Sequence, residues 1–179
     1  MANRDVILAV GGGIAAYKAA ALCSRLAQAG YRVRVTMTSA ATEFVGPATF
    51  AALSGRAVAT GSFESGVWPL GPHIELADGA DLMIVAPATA NLIGQFAGGL
   101  AGDLIATLYL QVSCPVLLAP AMSSAMWSKP AVQRNVARLR EDGCHFVGPD
   151  EGWLSCRQTG SGRMSEPDAI FEAAGRLLG

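Results

Sequence analysis

The segment 5–37 constrains the fold more than any other part of the chain. A short apolar run over 5–10 leads into Gly11-Gly12-Gly13, residues 14–29 carry apolar side chains at helical spacing, and Gly30 closes that run. Residues 31–37, rich in valine, read as a second strand. A strand, a helix and a strand in so short a span normally give a right-handed crossover and parallel pairing. Residues 82–86, ending at Pro87, and 116–119, ending at Pro120, are continuous apolar runs. Strands covered on both faces show such runs, whereas half-exposed strands alternate. Helices are predicted after Pro87, over 130–142 and from about 167 to 178, with a strand near 145–147 and a hairpin or flap over 152–162. The expected fold is α/β: a Rossmann-like or flavodoxin-like three-layer αβα sandwich with a mostly parallel sheet and a C-terminal substrate flap.

At 179 residues the chain is expected to form one domain over 1–179 with a single continuous core. Hydrophobic residues make up 51% and charged residues 15%, which points to surface buried between subunits. A net charge of −1 with no basic run gives no electrostatic footprint for nucleic acid. No apolar stretch reaches the roughly 20 residues that span a bilayer, and the start shows no signal-peptide cleavage pattern. Cys23, Cys114, Cys144 and Cys156 are scattered, without a CxxC pair or zinc-type spacing. No metal site is expected, and reduced thiols of a cytoplasmic protein are the reading.

In a parallel sheet, ligands bind at the carboxyl edge of the strands. Gly11–Gly13, Thr38-Ser39, Pro87-Ala88-Thr89-Ala90-Asn91 and Pro120-Ala121-Met122-Ser123 all fall there. Gly11 to Ala16 fits G-x-G-x-x-[GA] between a strand and a helix, a pattern that lets backbone N–H groups approach an anion, although a plain tight turn explains the same residues. A nicotinamide site would carry an acid at the end of the second strand. Here that strand ends Thr36-Met37-Thr38-Ser39, so a mononucleotide such as FMN fits better than NAD. Thr89 reads equally as a helix N-cap. His73, beside Gly71-Pro72, reads as a surface or capping histidine or as a base; Glu75 either orients it or is a first-turn helix acid. Cys23, Cys114 and Cys144 read as packing residues, whereas Cys156 lies on a polar, glycine-rich loop. The G-x-S-x-G, Walker and HExxH motifs are absent.

Six segments carry a resemblance: Gly12-Gly13-Ile14-Ala15-Ala16-Tyr17-Lys18; Met37-Thr38-Ser39-Ala40-Ala41 up to Phe44; Pro72-His73-Ile74-Glu75-Leu76; residues 87–91; residues 120–127; and the Cys156 loop ending Gly162-Arg163-Met164. In this order, over essentially the whole chain, they resemble the homo-oligomeric flavin-containing cysteine decarboxylases. The resemblance implies bound FMN, its phosphate by Gly12, Gly13 and Ile14 with contacts from Thr38, Ser39 and Ala40. It implies Thr89, Ala90, Asn91 and Leu92 at the ribityl or ring side, and Phe44, Ala121 and Met122 near the isoalloxazine. Ala121, Met122 and Ser123 would bind substrate.

The resemblance is closest to those members that convert 4'-phospho-N-pantothenoylcysteine to 4'-phosphopantetheine in coenzyme A biosynthesis. It implies oxidation of the substrate's thiol to a thioaldehyde, loss of carbon dioxide and reduction of the enethiol. His73 would be the base or carboxylate-positioning group, and Cys156 the proton donor. Members that oxidatively decarboxylate a peptide's C-terminal cysteine release the enethiol and do not need that donor. Such a peptide decarboxylase and a non-catalytic regulatory flavoprotein are the alternative expectations. Two positions depart from the family pattern: Ser123 stands where Pro-Ala-Met-Asn-x-x-Met-Trp has asparagine, and Gly102-Asp103 where many relatives have two acidic or amide residues. Serine offers one short hydroxyl where asparagine offers a donor pair and an acceptor. Relatives assemble as trimers and dodecamers, so a homotrimer or homododecamer is expected. Ending at Gly179 with no second domain, the chain is expected to be monofunctional or the decarboxylase portion of a fused enzyme.

Overall fold

A computed structural model describes residues 4–63 and 66–179. In chain order the elements are β1 (Asp5–Val10), α1 (Ala16–Gln28), β2 (Arg32–Met37), α2 (Ser39–Thr42), α3 (Pro47–Ser54), α4 (Pro72–Ala77), β3 (Leu82–Ala88) and α5 (Ala90–Gly98). They continue with α6 (Leu104–Gln111), β4 (Val116–Pro120), α7 (Ser124–Trp127), α8 (Pro130–Glu141), β5 (His145–Phe146), β6 (Asp150–Trp153), β7 (Thr159–Arg163) and α9 (Pro167–Leu178). Five strands form one sheet in the order β2-β1-β3-β4-β5, every pair parallel. This is the flavodoxin-like strand order, with the topological switch between β1 and β3.

Strand alternation divides the buried side chains into two sets rather than the single core expected from chain length. Val6, Leu8 and Val10 of β1 face α1, α3 and α9 together with Ile84 and Leu117. Ile7 and Ala9 face the opposite layer with Met83, Val85 and Leu118, against Leu76 of α4, Phe96 of α5, Ile105 of α6 and Leu139 of α8. Both faces of β1 and β3 are dry, which accounts for their unbroken apolar runs.

Several boundaries differ from the sequence reading. The first helix begins at Ala16 rather than residue 14, because a tight turn, Ala16 N–H to the Gly13 carbonyl at 2.9 Å, precedes it. β3 passes through Pro87 to Ala88 instead of stopping at the proline, and the register shift between Val85 and Ala88 absorbs the missing N–H. His73 lies within a helix that the sequence reading did not include: Pro72 opens α4 with its fixed φ, and His73 follows in the first turn. The short helices α2 and α3 carry no amphipathic pattern; Ala41 and Phe50 are their only buried side chains among the described residues.

The expected flap is an antiparallel hairpin, β6 with β7. It rests on the chain that leaves β4, and glycines make that approach possible. The Met122 N–H donates to the Gly162 carbonyl at 2.9 Å. A Cβ at Gly162 would lie 2.2 Å from the Met122 carbonyl oxygen, and one at Gly160 would lie 2.3 Å from Ser124 Oγ. Gly162 also has φ +133°, a conformation open chiefly to glycine.

At the opposite, amino edge of the sheet, charges tie β1 and β2 to α4. The buried Asp5 carboxylate accepts from Arg32 and from Arg34, the latter at 2.8 Å, while its backbone N–H donates to Asp81 at 2.7 Å. Arg34 also donates to the carbonyls of Glu75, Leu76 and Asp78, closing the end of the helix that carries His73.

Two outcomes are expected. Gly162→Ala should destabilise the fold by about 1–3 kcal/mol through strain and a backbone clash, with hairpin amides losing hydrogen-exchange protection before those of β1; wild-type protection in the hairpin would contradict this seating. The Arg32 hydrogen bond, foremost, holds the Asp5 carboxyl below its ordinary range against the opposing effect of burial. Its stabilisation is therefore present above the unfolded carboxylate value of about 4 and is lost as pH falls through the depressed folded value. Asp5→Asn should lower stability by about 2–4 kcal/mol near neutral pH. In denaturant titrations that difference should shrink toward acid pH, and a constant difference would remove Asp5 ionisation as its cause.

Candidate functional site

Parallel pairing brings four chain segments to one edge of the sheet, each emerging from the carboxyl end of a strand. After β2, Thr38 caps α2, its Oγ1 accepting from Ala41 N–H at 3.1 Å. After β3, Thr89 caps α5, accepting from Leu92 N–H at 3.3 Å. After β4, Ser123 caps α7, accepting from Met126 N–H at 3.3 Å. Each cap satisfies one amide and leaves those nearer the helix start free. The N–H groups of Gly12, Gly13, Ile14, Ser39, Ala40, Ala90 and Asn91 have no protein acceptor among the described residues.

Most of these groups border a cavity of about 390 Å³ lined by Gly12, Thr38, Ser39, Ala40, Thr89, Ala90, Asn91, Asp103, Ala121, Met122 and Met126. Gly12 permits its closure: a Cβ there would lie 2.3 Å from the Ala40 Cβ. Asp103 is the one carboxylate in this lining, and it is already committed, Oδ1 accepting from Ala106 N–H at 2.9 Å and Oδ2 from the Gln95 amide at 3.1 Å. The preceding Gly102 lets Gln95 approach, since a Cβ there would lie 2.6 Å from Gln95 Oε1. Converging free amides beside an apolar wall fit a phosphate-bearing planar group.

A second cavity, about 330 Å³, lies under the hairpin and shares Ala121 and Met122 with the first. Its lining includes Gly13, Ile14, Tyr17, Lys18, Ser123, Trp153, Ser155, Cys156 and Arg163. Cys156 sits in the hairpin turn, where Arg157 N–H donates to the Leu154 carbonyl at 2.9 Å and Arg157 takes φ +61°. Among the cysteines it alone is exposed. Burial pushes the Cys23 thiol up to about 11, and raises those of Cys114 and Cys144 as well. Those three are packing residues, as the sequence indicates.

Several expected site residues lie elsewhere. Leu92 is fully buried in the core, and its amide is spent on the Thr89 cap, so it lines neither cavity. Phe44, half-exposed beyond α2, also lines neither. His73 lies on α4, which packs beside α6, and borders neither cavity; within one chain it is not brought to Cys156. Glu75 does not orient it, since its Oε1 accepts from Leu70 N–H at 2.8 Å. Conversely, Lys18, Arg163, Tyr17 and Trp153 carry no role in the sequence reading yet line the thiol cavity. A lone lysine within the apolar run of α1 was the available signal for Lys18. Among the described residues, no cluster of His, Cys, Asp and Glu could hold a metal, and no helix is long and apolar enough to cross a membrane.

Known proteins are similar to this one along nearly the whole chain. The chain is 50% identical over 172 residues to the coenzyme A biosynthesis bifunctional protein CoaBC of Bacillus subtilis, covering 96% of this chain and 42% of that protein. It is 46% identical to the CoaBC of Mycobacterium tuberculosis, over 98% of this chain and 41% of that protein. The chain thus spans about two-fifths of the length of these curated relatives. Among solved structures, a PPC decarboxylase mutant complexed with pantothenoylaminoethenethiol superposes with a TM-score of 0.86 at 28% identity, 97% of each chain being covered. The FMN-dependent cysteine decarboxylase SpaF gives a TM-score of 0.80 at 32% identity, over 97% of this chain and 98% of that one. The Flavoprotein family model matches residues 1–178, and with the relatives' identity and the shared fold this chain belongs to that flavoprotein family.

Proposed function

We propose that this chain catalyses the FMN-dependent decarboxylation of 4'-phospho-N-pantothenoylcysteine to 4'-phosphopantetheine, a carboxy-lyase step of coenzyme A biosynthesis. The observation that carries it is the shared Ala121–Met122 wall between a cavity of free amides and a cavity closed by a thiol. Gly12, Gly13, Ile14, Ser39 and Ala40 would supply neutral N–H donors to the phosphate of FMN, and Ala90 and Asn91 would hold its ribityl side. FMN, when bound, supplies reversible two-electron redox chemistry next to the substrate's thiol. The remaining work falls to side chains of this protein.

Ala121 and Met122 form an apolar wall that excludes water from the reacting carbon. Ser123 caps α7 through an oxygen lone pair, so its hydroxyl proton is left to donate to the substrate's carboxylate or amide. This is how serine serves at the asparagine position of the family pattern. Cys156 stands on the hairpin turn over the same cavity and donates a proton to carbon after carbon dioxide has left. A flap thiol supports this redox-neutral reaction over oxidative decarboxylation of a peptide cysteine, which ends at the enethiol, and over a non-catalytic role.

His73 reaches the site from a second copy of the chain. That His73 does not line the Cys156 cavity within one chain favours a homo-oligomer, a trimer or a dodecamer built from trimers. Ile14, Tyr17, Met126 and Trp153, large apolar side chains exposed around the two cavities, are suited to such contacts.

Purified protein should be yellow, with a flavin absorbance spectrum, and should release carbon dioxide from 4'-phosphopantothenoylcysteine. Colourless protein that cannot be reconstituted with FMN would end this reading. Cys156→Ser should still release carbon dioxide but form 4'-phosphopantetheine roughly 100-fold more slowly or worse, accumulating oxidised enethiol; full turnover would remove the thiol from the mechanism. Mixed assemblies of His73→Asn and Cys156→Ser chains should recover activity that neither variant has alone. If every mixture stays inactive while still assembling, the two groups do not meet across copies.

A further inference from the structure

Beyond the thiol, the cavity under the hairpin contains a charge arrangement that the decarboxylation chemistry does not use. Lys18 is one of its lining residues, and its side chain is 7% exposed. Two acceptors hold the ammonium, the Met164 carbonyl at 3.1 Å and Glu166 Oε1 at 2.9 Å. A lysine has three N–H donors, so one is left over. Arg163, at the base of β7, donates to the same Glu166 oxygen at 2.6 Å. The Lys18 hydrogen bond, foremost, holds the Glu166 carboxyl below its ordinary range, so the cluster is two cations sharing one anion. No aspartate or glutamate lines the cavity, and the rest of its wall is neutral. A partly dehydrated net positive charge at one end of an otherwise uncharged pocket selects an anionic group on whatever enters it.

We infer that Lys18 and Arg163 form a phosphate subsite that selects the 4'-phosphorylated substrate; this rests on the decarboxylase reading above. Distance decides which anion of the substrate they meet. The carboxylate leaves from the same carbon that Cys156 protonates, so it must lie beside the hairpin turn. Arg163 lies four residues beyond Thr159, at the far end of β7 from that turn, a span of about 13 Å at strand rise. The guanidinium folds back over Gly152, whose Cβ position lies 3.1 Å from Arg163 Nη1, leaving a separation on the order of 10 Å. Thirteen bonds separate sulfur from phosphorus in phosphopantothenoylcysteine, about 15 Å at the pitch of an extended peptide-like chain. The phosphate reaches the cations and the carboxylate does not. The arrangement also disfavours a peptide substrate, which carries no obligatory anion at that distance from its terminal cysteine.

The test is calorimetric binding of 4'-phosphopantetheine and of pantetheine to flavin-loaded wild type, Arg163→Gln, Lys18→Met and Glu166→Gln, with carbon dioxide release measured in parallel. Wild type should bind the phosphorylated ligand about 100-fold more tightly, and each cation variant should lose about tenfold or more of that preference. Glu166→Gln frees both cations and should tighten 4'-phosphopantetheine binding about threefold or more. Merely structural roles in seating the hairpin predict the reverse, weaker binding of both ligands alike. Equal affinity for the two ligands in wild type, or parallel losses for both in the cation variants, would overturn the subsite. Phosphate preference without carbon dioxide release would instead refute the decarboxylase reading and leave the subsite standing.

Discussion

Parallel pairing of five strands is the constraint on which the rest of the molecule depends. It sends every strand's carboxyl end to one edge, and each following helix begins there with N–H groups that have no partner inside the helix. Thr38, Thr89 and Ser123 satisfy one amide each, and the amides next to them remain open. The cavity of free amides is therefore a consequence of topology, assembled from groups that any parallel sheet with short connections would leave unsatisfied. What is particular to this chain is the tightness of the edge, since Gly12 sits against Ala40 with no room for a Cβ.

The hairpin adds a second layer of organisation. Without it the carboxyl edge would be an open shelf; with it, a thiol is held over the wall formed by Ala121 and Met122. Gly160 and Gly162 provide this seating by letting β7 lie directly on residues 122–124. Farther along the chain, Glu166 joins Lys18 of α1 to Arg163 of β7. One ion cluster thus fixes the base of the flap, closes the far end of the pocket and supplies its charge.

The amino edge works differently. There Asp5 pairs with both Arg32 and Arg34, and Arg34 extends to the carbonyls at the end of α4. The Asp5 carboxylate is buried, and its part-exposed arginine partners are committed to it and to main-chain carbonyls, so these charges hold elements together. This contrast explains how a chain with few charged residues can keep one edge firmly joined and leave the other receptive.

Much of this was legible in the sequence because it rests on local rules. The unbroken apolar strands, the glycine turn after β1, the hydroxyl residues at the strand ends and the glycine-rich hairpin each depend on a few neighbouring residues, and the fold class follows from their order. Tertiary structure alone decided which of those residues face a cavity. Leu92 stands next to exposed Asn91, yet helical rotation turns it into the core. Lys18 reads as an unremarked helix residue until α9 and β7 bring Glu166 and Arg163 to it from nearly 150 residues away. His73 and Cys156 are both visible as scarce reactive groups, but α4 packs beside α6 while the hairpin closes a cavity against α1, a separation set by the crossovers that no spacing along the chain encodes.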